Sequence, residues 1–366
     1  MKVALIHYWL VKMRGGEKVL EELCELYPQA DIYTHVAAPE MLSQKLRNHP
    51  IKTTFISQLP AAKRMYQKYL PLMPRALEEL DLRGYDLVIS SESGPAKGVI
   101  TEPKTLHVCY CHTPMRYMWN MYHDYKRATG PLTGFAMSLF MHRMRLWDYA
   151  SAARVDYFVA NSSTVAERIR KYYRRESEII HPPVNVDAFG QGTGTGEFYL
   201  LCGELAGYKR ADIAIEAFNN MKKPLVVIGS GEQLKLLKQM AGPTVQILGS
   251  QPFEVLKDHY ARCRALIFPG EEDFGIVPLE AMASGRPVIA YGRGGALDTV
   301  VPNRTGLFFD NQTANALIET VHRFEEQEGA FNPEHLIAHA QSFSSEVFRE
   351  KFGRFIENRI EQHHRT

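Results

Sequence analysis

A chain of 366 residues, 45% of them hydrophobic, is long enough for two globular domains. Its 43 Lys+Arg and 41 Asp+Glu leave a net charge of +2, which excludes a general nucleic-acid-binding surface. Five irregularly spaced cysteines, Cys24, Cys109, Cys111, Cys202 and Cys263, imply neither a disulfide framework nor a zinc site.

The charge is uneven. Residues 1–185 hold 25 Lys+Arg and 18 Asp+Glu, or +7, and the remainder 18 and 23, or −5. The first half therefore suits an anionic membrane or a phosphate-bearing acceptor. The opening run MKVALIHYWL is too short to span a bilayer and lacks a cleavage site. No run approaches ~18 apolar residues. A cytoplasmic chain is expected, at most peripheral at the inner face of the cytoplasmic membrane.

Residues 2–7 form a near-continuous apolar run, as in a parallel strand covered on both faces. Gly15, Gly16, Glu17 and Lys18 then open a helix with Val19, Leu20, Leu23 and Leu26 on one side. Strand, glycine loop and helix together present backbone N–H groups to phosphates, although a tight turn explains the pattern equally well. Residues 30–36 and 51–56 read as strands. Residues 59–80, LPAAKRMYQKYLPLMPRALEEL, interleave Lys63, Arg64, Lys68 and Arg75 with Leu, Met and Tyr. This is either a membrane-surface element or a pair of short helices, broken by Pro71 and Pro74, that pack on the domain.

A strand over 85–90 leads to a polar loop at 90–94, at the sheet edge where ligands bind in open α/β folds. A strand over 105–111 brings His112, beside Pro114, to the same edge, followed by Arg116 and Tyr117. One long amphipathic helix is expected over 134–154 and a strand over 155–160. Thr164 and Glu167 are spaced as a capping box. Residues 179–185, IIHPPVN, close the first half, and 190–196, GQGTGTG, have linker composition.

The second half repeats the alternation. Strands are expected over 198–203, 224–228, 245–248 and 265–268. Lys209 and Arg210 open the helix after the first of these, where a cation can meet a phosphate. Gly229-Ser230-Gly231-Glu232 follows the second, a turn that suits close backbone approach to a nucleotide. Residues 269–290, PGEEDFGIVPLEAMASGRPVIA, read as loop, helix and strand. Glu272 falls in the loop and Glu280 in the helix. If the helix starts near Gly275, backbone N–H groups of Phe274, Gly275 and Ile276 would lack helical partners there, a ready site for an anion or a sugar hydroxyl. Gly285 closes the helix and Pro287 blocks its continuation. Carboxylates accept charge-assisted bonds from vicinal hydroxyls, which suits polyol recognition.

At these residues the chain resembles a family. EDFGIVPLEAM is similar to the E-x7-E signature of retaining GT-B glycosyltransferases of the family-4 group, and more narrowly to bacterial mannosyltransferases that build O-antigen and exopolysaccharide. The resemblance covers essentially the whole chain. It implies an α/β fold of two Rossmann-like domains facing a central cleft: 1–188 for the acceptor, 189–342 for the nucleotide sugar, and a tail helix, 343–366, returning to the first domain. It implies that His112, Glu272 and Lys209 carry the chemistry. Donor contacts would come from Gly15, Gly16, Lys209, Arg210, Gly229, Gly249, Asp273, Phe274, Gly275, Ile276, Val277 and Glu280. Acceptor contacts would come from Glu17, Lys18, Arg116 and Tyr117. The implied donor is GDP-mannose and the implied acceptor a lipid-linked glycan.

Two departures stand out. Glu204 occupies a position where the family carries an arginine five residues before Lys209, and Asp298 replaces a glutamate. With no Asp-x-Asp pair and no ligand-spaced His/Asp cluster, metal-independent transfer is expected, with no cofactor. A UDP-sugar donor stays open. So does a non-catalytic nucleotide-sugar-binding subunit of a polysaccharide assembly complex. A sugar-nucleotide epimerase would need a carboxylate set in the first domain.

Overall fold

The computed structural model describes residues 1–127, 130–192 and 196–363. The chain divides into two compact units, Met1–Pro183 with Phe348–Thr366, and Val184–Val347. The linker composition read at 190–196 lies partly outside the described residues.

The first unit is built on seven parallel strands: β1 (Val3–His7), β2 (Asp31–Thr34), β3 (Ile51–Thr53), β4 (Leu87–Glu92), β5 (Leu106–Cys111), β6 (Tyr157–Ala160) and β7 (Ser177–Ile179). Their order is β3-β2-β1-β4-β5-β6-β7. The central strands are buried throughout, which explains their uninterrupted apolar sequence. The strand order reverses between β1 and β4, and that switch point opens a crevice at the carboxyl ends of both strands. On one face, Phe348, Phe352, Phe355 and Ile356 of the terminal helix Ser345–His363 join Leu5, Ile89 and Val108 in a single core.

The second unit repeats the plan with six parallel strands: β8 (Phe198–Cys202), β9 (Leu225–Ile228), β10 (Val245–Gly249), β11 (Cys263–Phe268), β12 (Val288–Tyr291) and β13 (Gly306–Phe309). The order is β10-β9-β8-β11-β12-β13, so its switch point lies between β8 and β11.

Several local expectations need correction. Ser90, Ser91 and Glu92 are not loop but the buried end of β4, because Cys109, Tyr110 and Cys111 of β5 continue to pair with them. The helix Ser163–Tyr173 is capped by Ser162, whose hydroxyl accepts the Val165 N–H, and not by Thr164, which lies inside the first turn. The strands β7 and β13 escaped notice; each is three or four residues long. In the 59–80 segment, Ala62, Met73 and Ala76 are buried with Val36 and Ile56, so its apolar side is used for packing.

Candidate functional site

In the first unit the switch point gathers a hydrogen-bonded chain. His7 ends β1 and Ser91 is its register partner on β4. The Ser91 hydroxyl lies 3.1 Å from His7 Nδ1 and 2.8 Å from His112 Nε2. His112 follows β5, and its backbone N–H donates to the Glu92 carbonyl at 2.8 Å. On the other side of His7, Nε2 faces Glu17 Oε1 at 3.7 Å. Burial and then the neighbouring His7 push the His112 pKa down to about 3, so its ring is neutral at physiological pH.

Gly16 belongs beside this chain. A Cβ there would stand 2.5 Å from the Tyr8 hydroxyl and 3.5 Å from His112 Nε2. The helix Gly15–Leu26 therefore starts against the histidines because residue 16 has no side chain. Glu17 is buried and its Oε2 accepts the Arg14 N–H at 3.0 Å, so it fixes the helix start as well as facing His7. Lys18 points elsewhere, its exposed ammonium pairing with the buried Glu21 at 2.8 Å. Tyr117 turns its hydroxyl onto the Met115 sulfur, and Arg116 is half-buried one residue before it.

Glu92 and Lys97 brace this edge from below. Lys97 is fully buried; its ammonium donates to Glu92 at 2.7 Å and to Asp148, and Trp119 donates to Asp148 at 2.8 Å. Burial opposes the lysine charge, but the two carboxylates outweigh it and raise its pKa. No sequence pattern marked this cluster, since its members are separated by up to 56 positions along the chain.

In the second unit the switch point holds Lys209 and Glu272. The Lys209 ammonium lies 2.9 Å from Glu272 Oε1, both largely buried. Burial works against the lysine charge, and Glu272 chiefly outweighs it, so the pKa is raised and the cation is fixed. Arg210 does not stand beside it. Its backbone is left-handed, with φ of 53°, and its guanidinium is held by Asp212 and Gln312. The left-handed turn directs the Arg210 side chain to Asp212 rather than to the Lys209–Glu272 pair.

The loop from Glu272 to Gly275 is clamped from behind. Gly295 N–H donates to the Glu272 carbonyl at 2.8 Å, and a Cβ on Gly295 would sit 2.2 Å from Phe274 Cα. The glycine turn at 292–295 thus serves to let two backbones meet. Gly275 takes φ of 89° and caps the helix Ile276–Ala283, leaving the half-buried Ile276 and Val277 in its first turn. Phe274 is buried, and Asp273 is half-buried. Glu280, inside the helix and half-buried, accepts the Tyr260 hydroxyl at 2.6 Å on Oε2. Burial raises its pKa, while Tyr260 and then Lys209 pull it down. Tyr260 was not anticipated; only the packing of the helix Phe253–Arg262 brings it to Glu280.

Gly229 and Gly249 lie on the same edge. Gly229 N–H donates to the Gly249 carbonyl at 2.8 Å, and a Cβ on Gly229 would overlap the Gly203 carbonyl at 1.8 Å. Among the described residues no three His, Cys, Asp or Glu side chains are grouped as metal ligands.

Comparison with known proteins gives this arrangement a lineage. Residues 13–188 match Glycosyltransferase Family 4, and residues 186–343 match Glycosyl transferases group 1. A GDP-mannose-dependent alpha-mannosyltransferase of Mycobacterium tuberculosis is 35% identical over 126 residues, 33% of each chain. The O-antigen chain mannosyltransferase RfbU of Salmonella typhimurium is 30% identical over 151 residues, 38% of this chain and 43% of its own. The matched stretches span about half or less of the length of these curated relatives. The crystal structure of Anabaena Alr3699/HepE in complex with UDP superposes with a TM-score of 0.73 over 98% of this chain and 100% of that one, at 16% identity. That likeness concerns the fold. With its two halves matched in order, the chain belongs to the GT-B glycosyltransferases of the family-4, group-1 type.

Proposed function

We propose that the chain is a retaining hexosyltransferase, moving mannose from GDP-mannose to a lipid-linked or polysaccharide-precursor glycan without a metal. The observation that carries this reading is the Lys209–Glu272 pair at the second switch point, with Glu280 held by Tyr260 on the adjoining helix. Breaking the anomeric C–O bond leaves charge on a nucleoside diphosphate, and catalysis needs positive potential fixed in advance. Lys209 supplies a partly desolvated cation. The N–H groups at the start of the helix Ile276–Ala283 add to it.

Glu280 has Oε1 left for a ribose diol once Tyr260 holds Oε2. Glu272 has one oxygen on Lys209 and one for sugar hydroxyls. His112, neutral, is the first unit's candidate for accepting a hydrogen bond from a sugar hydroxyl. The acceptor hydroxyl attacks the anomeric carbon on the leaving-group face, the bond to the phosphate oxygen breaks, and that oxygen takes the hydroxyl proton. GDP leaves.

Mannose is favoured by relatives named as mannosyltransferases, one of them as GDP-mannose-dependent. A UDP-sugar is the second reading, favoured by the UDP bound in the HepE structure. Purified protein with labelled GDP-mannose, and in parallel labelled UDP-glucose, tests both. Release or transfer of mannose from GDP-mannose is expected. Release from the UDP-sugar alone would sink the mannose assignment, and tight binding with no turnover of either would leave a non-catalytic sugar-nucleotide-binding subunit.

A further inference from the structure

His112, Arg116 and Tyr117 share one stretch, residues 112–119, that follows β5 with no helix or strand of its own. Both ends of it are fastened to the same buried ammonium. At the start, the His112 N–H donates to the Glu92 carbonyl at 2.8 Å. The Glu92 carboxylate in turn accepts Lys97 Nζ at 2.7 Å and the Lys97 backbone N–H at 2.6 Å. At the far end, Trp119 Nε1 donates to Asp148 Oδ2 at 2.8 Å, and Asp148 Oδ1 accepts the same Lys97 Nζ. The bonds close a circuit from Lys97 through Glu92, the stretch and Asp148 back to Lys97. The Trp119 indole is also stacked on Tyr172, 4.7 Å between centroids and 10° between planes. Between the two ends, Thr113 accepts Arg168 Nη1 at 3.1 Å and the Met118 carbonyl accepts Arg145 Nε at 2.6 Å.

We infer that Lys97 is a positioning residue, whose ammonium fixes where residues 112–119 present His112, Arg116 and Tyr117. Stability alone is a poor account of this cluster. Glu92, Lys97 and Asp148 are each 0% exposed and together carry two carboxylates against one ammonium. Apolar side chains of similar volume commonly match or better such buried ions in stability. What the ions add is direction, because each bond prefers a length and an angle, and a fully satisfied network rigidifies its members. This network is satisfied. Glu92 Oε1 takes Lys97 Nζ, and Oε2 takes the N–H groups of Ala96 and Lys97. Asp148 Oδ1 takes Lys97, and Oδ2 takes Trp119 and the Tyr173 hydroxyl at 3.0 Å. A stretch with no ladder of its own gains a fixed path from these bonds. The fit leaves no slack: a Cβ on Gly98 would stand 2.1 Å from the Trp147 ring, on the helix Pro131–Ala152 that carries Asp148. Closed off from solvent, Lys97 touches no substrate and acts through the stretch it anchors.

That this placement matters to transfer rests on the proposed function; that Lys97 sets the placement does not. The test compares two donors to one carboxylate. Trp119→Phe removes the indole N–H from Asp148 and keeps a ring against Tyr172. Tyr173→Phe removes the other donor, which comes from the helix Ser163–Tyr173 and not from the stretch. The readouts are nitrogen NMR of the full chain labelled at histidine, with His112 identified by its loss in His112→Asn, and steady-state kcat and donor KM. Trp119→Phe should shift the His112 ring signals and lower kcat about tenfold at unchanged donor KM. Tyr173→Phe should do neither, although both variants lose a buried hydrogen bond and melt earlier. Lys97→Met should exceed Trp119→Phe in both readouts. Glu92→Gln, which keeps the side chain's shape and leaves Lys97 on Asp148, should move the His112 signals too and decides the matter where Lys97→Met fails to fold. Equal effects of Trp119→Phe and Tyr173→Phe, or His112 signals unmoved in Trp119→Phe and Glu92→Gln, would overturn the inference, since a cluster that only stabilises the fold gives that result. A wild type that turns over no sugar nucleotide would sink the proposed function instead, and the His112 spectra would still decide this one.

Discussion

The Ser91 hydroxyl bridges two histidines, 2.8 Å from His112 Nε2 and 3.1 Å from His7 Nδ1. One hydroxyl has a single proton, so it donates to one ring and accepts from the other. With Glu17 facing His7 Nε2, the consistent arrangement puts protons on His7 Nε2 and His112 Nε2. His112 Nδ1 is then the ring's acceptor.

Replacing Ser91 with Ala should therefore change His112 before it changes the fold. Nitrogen NMR of labelled histidine should show the His112 Nε2–H tautomer giving way to a mixture, and turnover should fall by about tenfold, the loss of roughly one hydrogen bond. An unaltered His112 spectrum in Ser91→Ala would show that the bridge does not set the tautomer.

Lys209 is the cation proposed for the leaving group, and Arg210 is held by Asp212. We expect Lys209→Met to lower kcat by ~10²–10³, the usual loss for one transition-state electrostatic contact, with the melting temperature little changed. Arg210→Ala should cost far less. Comparable losses in the two variants would mean that Arg210 swings to the phosphates in the working state.

Tyr260 holds Glu280 by a 2.6 Å bond inside the packed second unit. Tyr260→Phe should weaken donor binding by about five- to tenfold, one hydrogen bond to a charged partner, and leave kcat nearly unchanged. A drop in kcat at constant KM would place Tyr260 in the chemistry and not in positioning.

The fold was largely legible because parallel strands buried on both faces write uninterrupted apolar runs, as at Val3–His7 and Val288–Tyr291. The loop and helix of Glu272 and Glu280 were legible because glycine, proline and paired acids punctuate them. What stayed hidden depends on distant packing. Ser91 looked like loop because a serine run at a strand end carries no apolar signal. His7 reads as the end of an apolar strand, and Tyr260 stands in no motif. Sequence adjacency to Lys209 does not reveal the left-handed backbone that turns Arg210 to Asp212.

Acid stability follows from two other histidines. Burial, opposed by the hydrogen bonds to Pro95 and Arg154, holds His35 and His107 neutral, with pKa values of about 4 against an ordinary 6.5. Their folded pKa is depressed, so the stability they contribute is full above pH ~6.5 and is lost as pH falls toward ~4. With His112, whose pKa is likewise depressed, the unfolded chain binds up to three more protons across that window, a slope of at most ~4.1 kcal/mol per pH unit, and His107→Gln should remove about a third of it. Urea unfolding at several pH values measures the slope; equal slopes in wild type and variant would show that His107 is charged in the folded protein.

Calorimetric titration of GDP into wild type and Glu280→Ala tests the central assignment most directly. If Glu280 grips the ribose, GDP should bind wild type and bind the variant ~30–150-fold more weakly, the loss of two hydrogen bonds at ~1–1.5 kcal/mol each. Equal affinities in the two proteins would remove Glu280 from the donor site, and binding of UDP with none of GDP would contradict the guanine nucleotide donor.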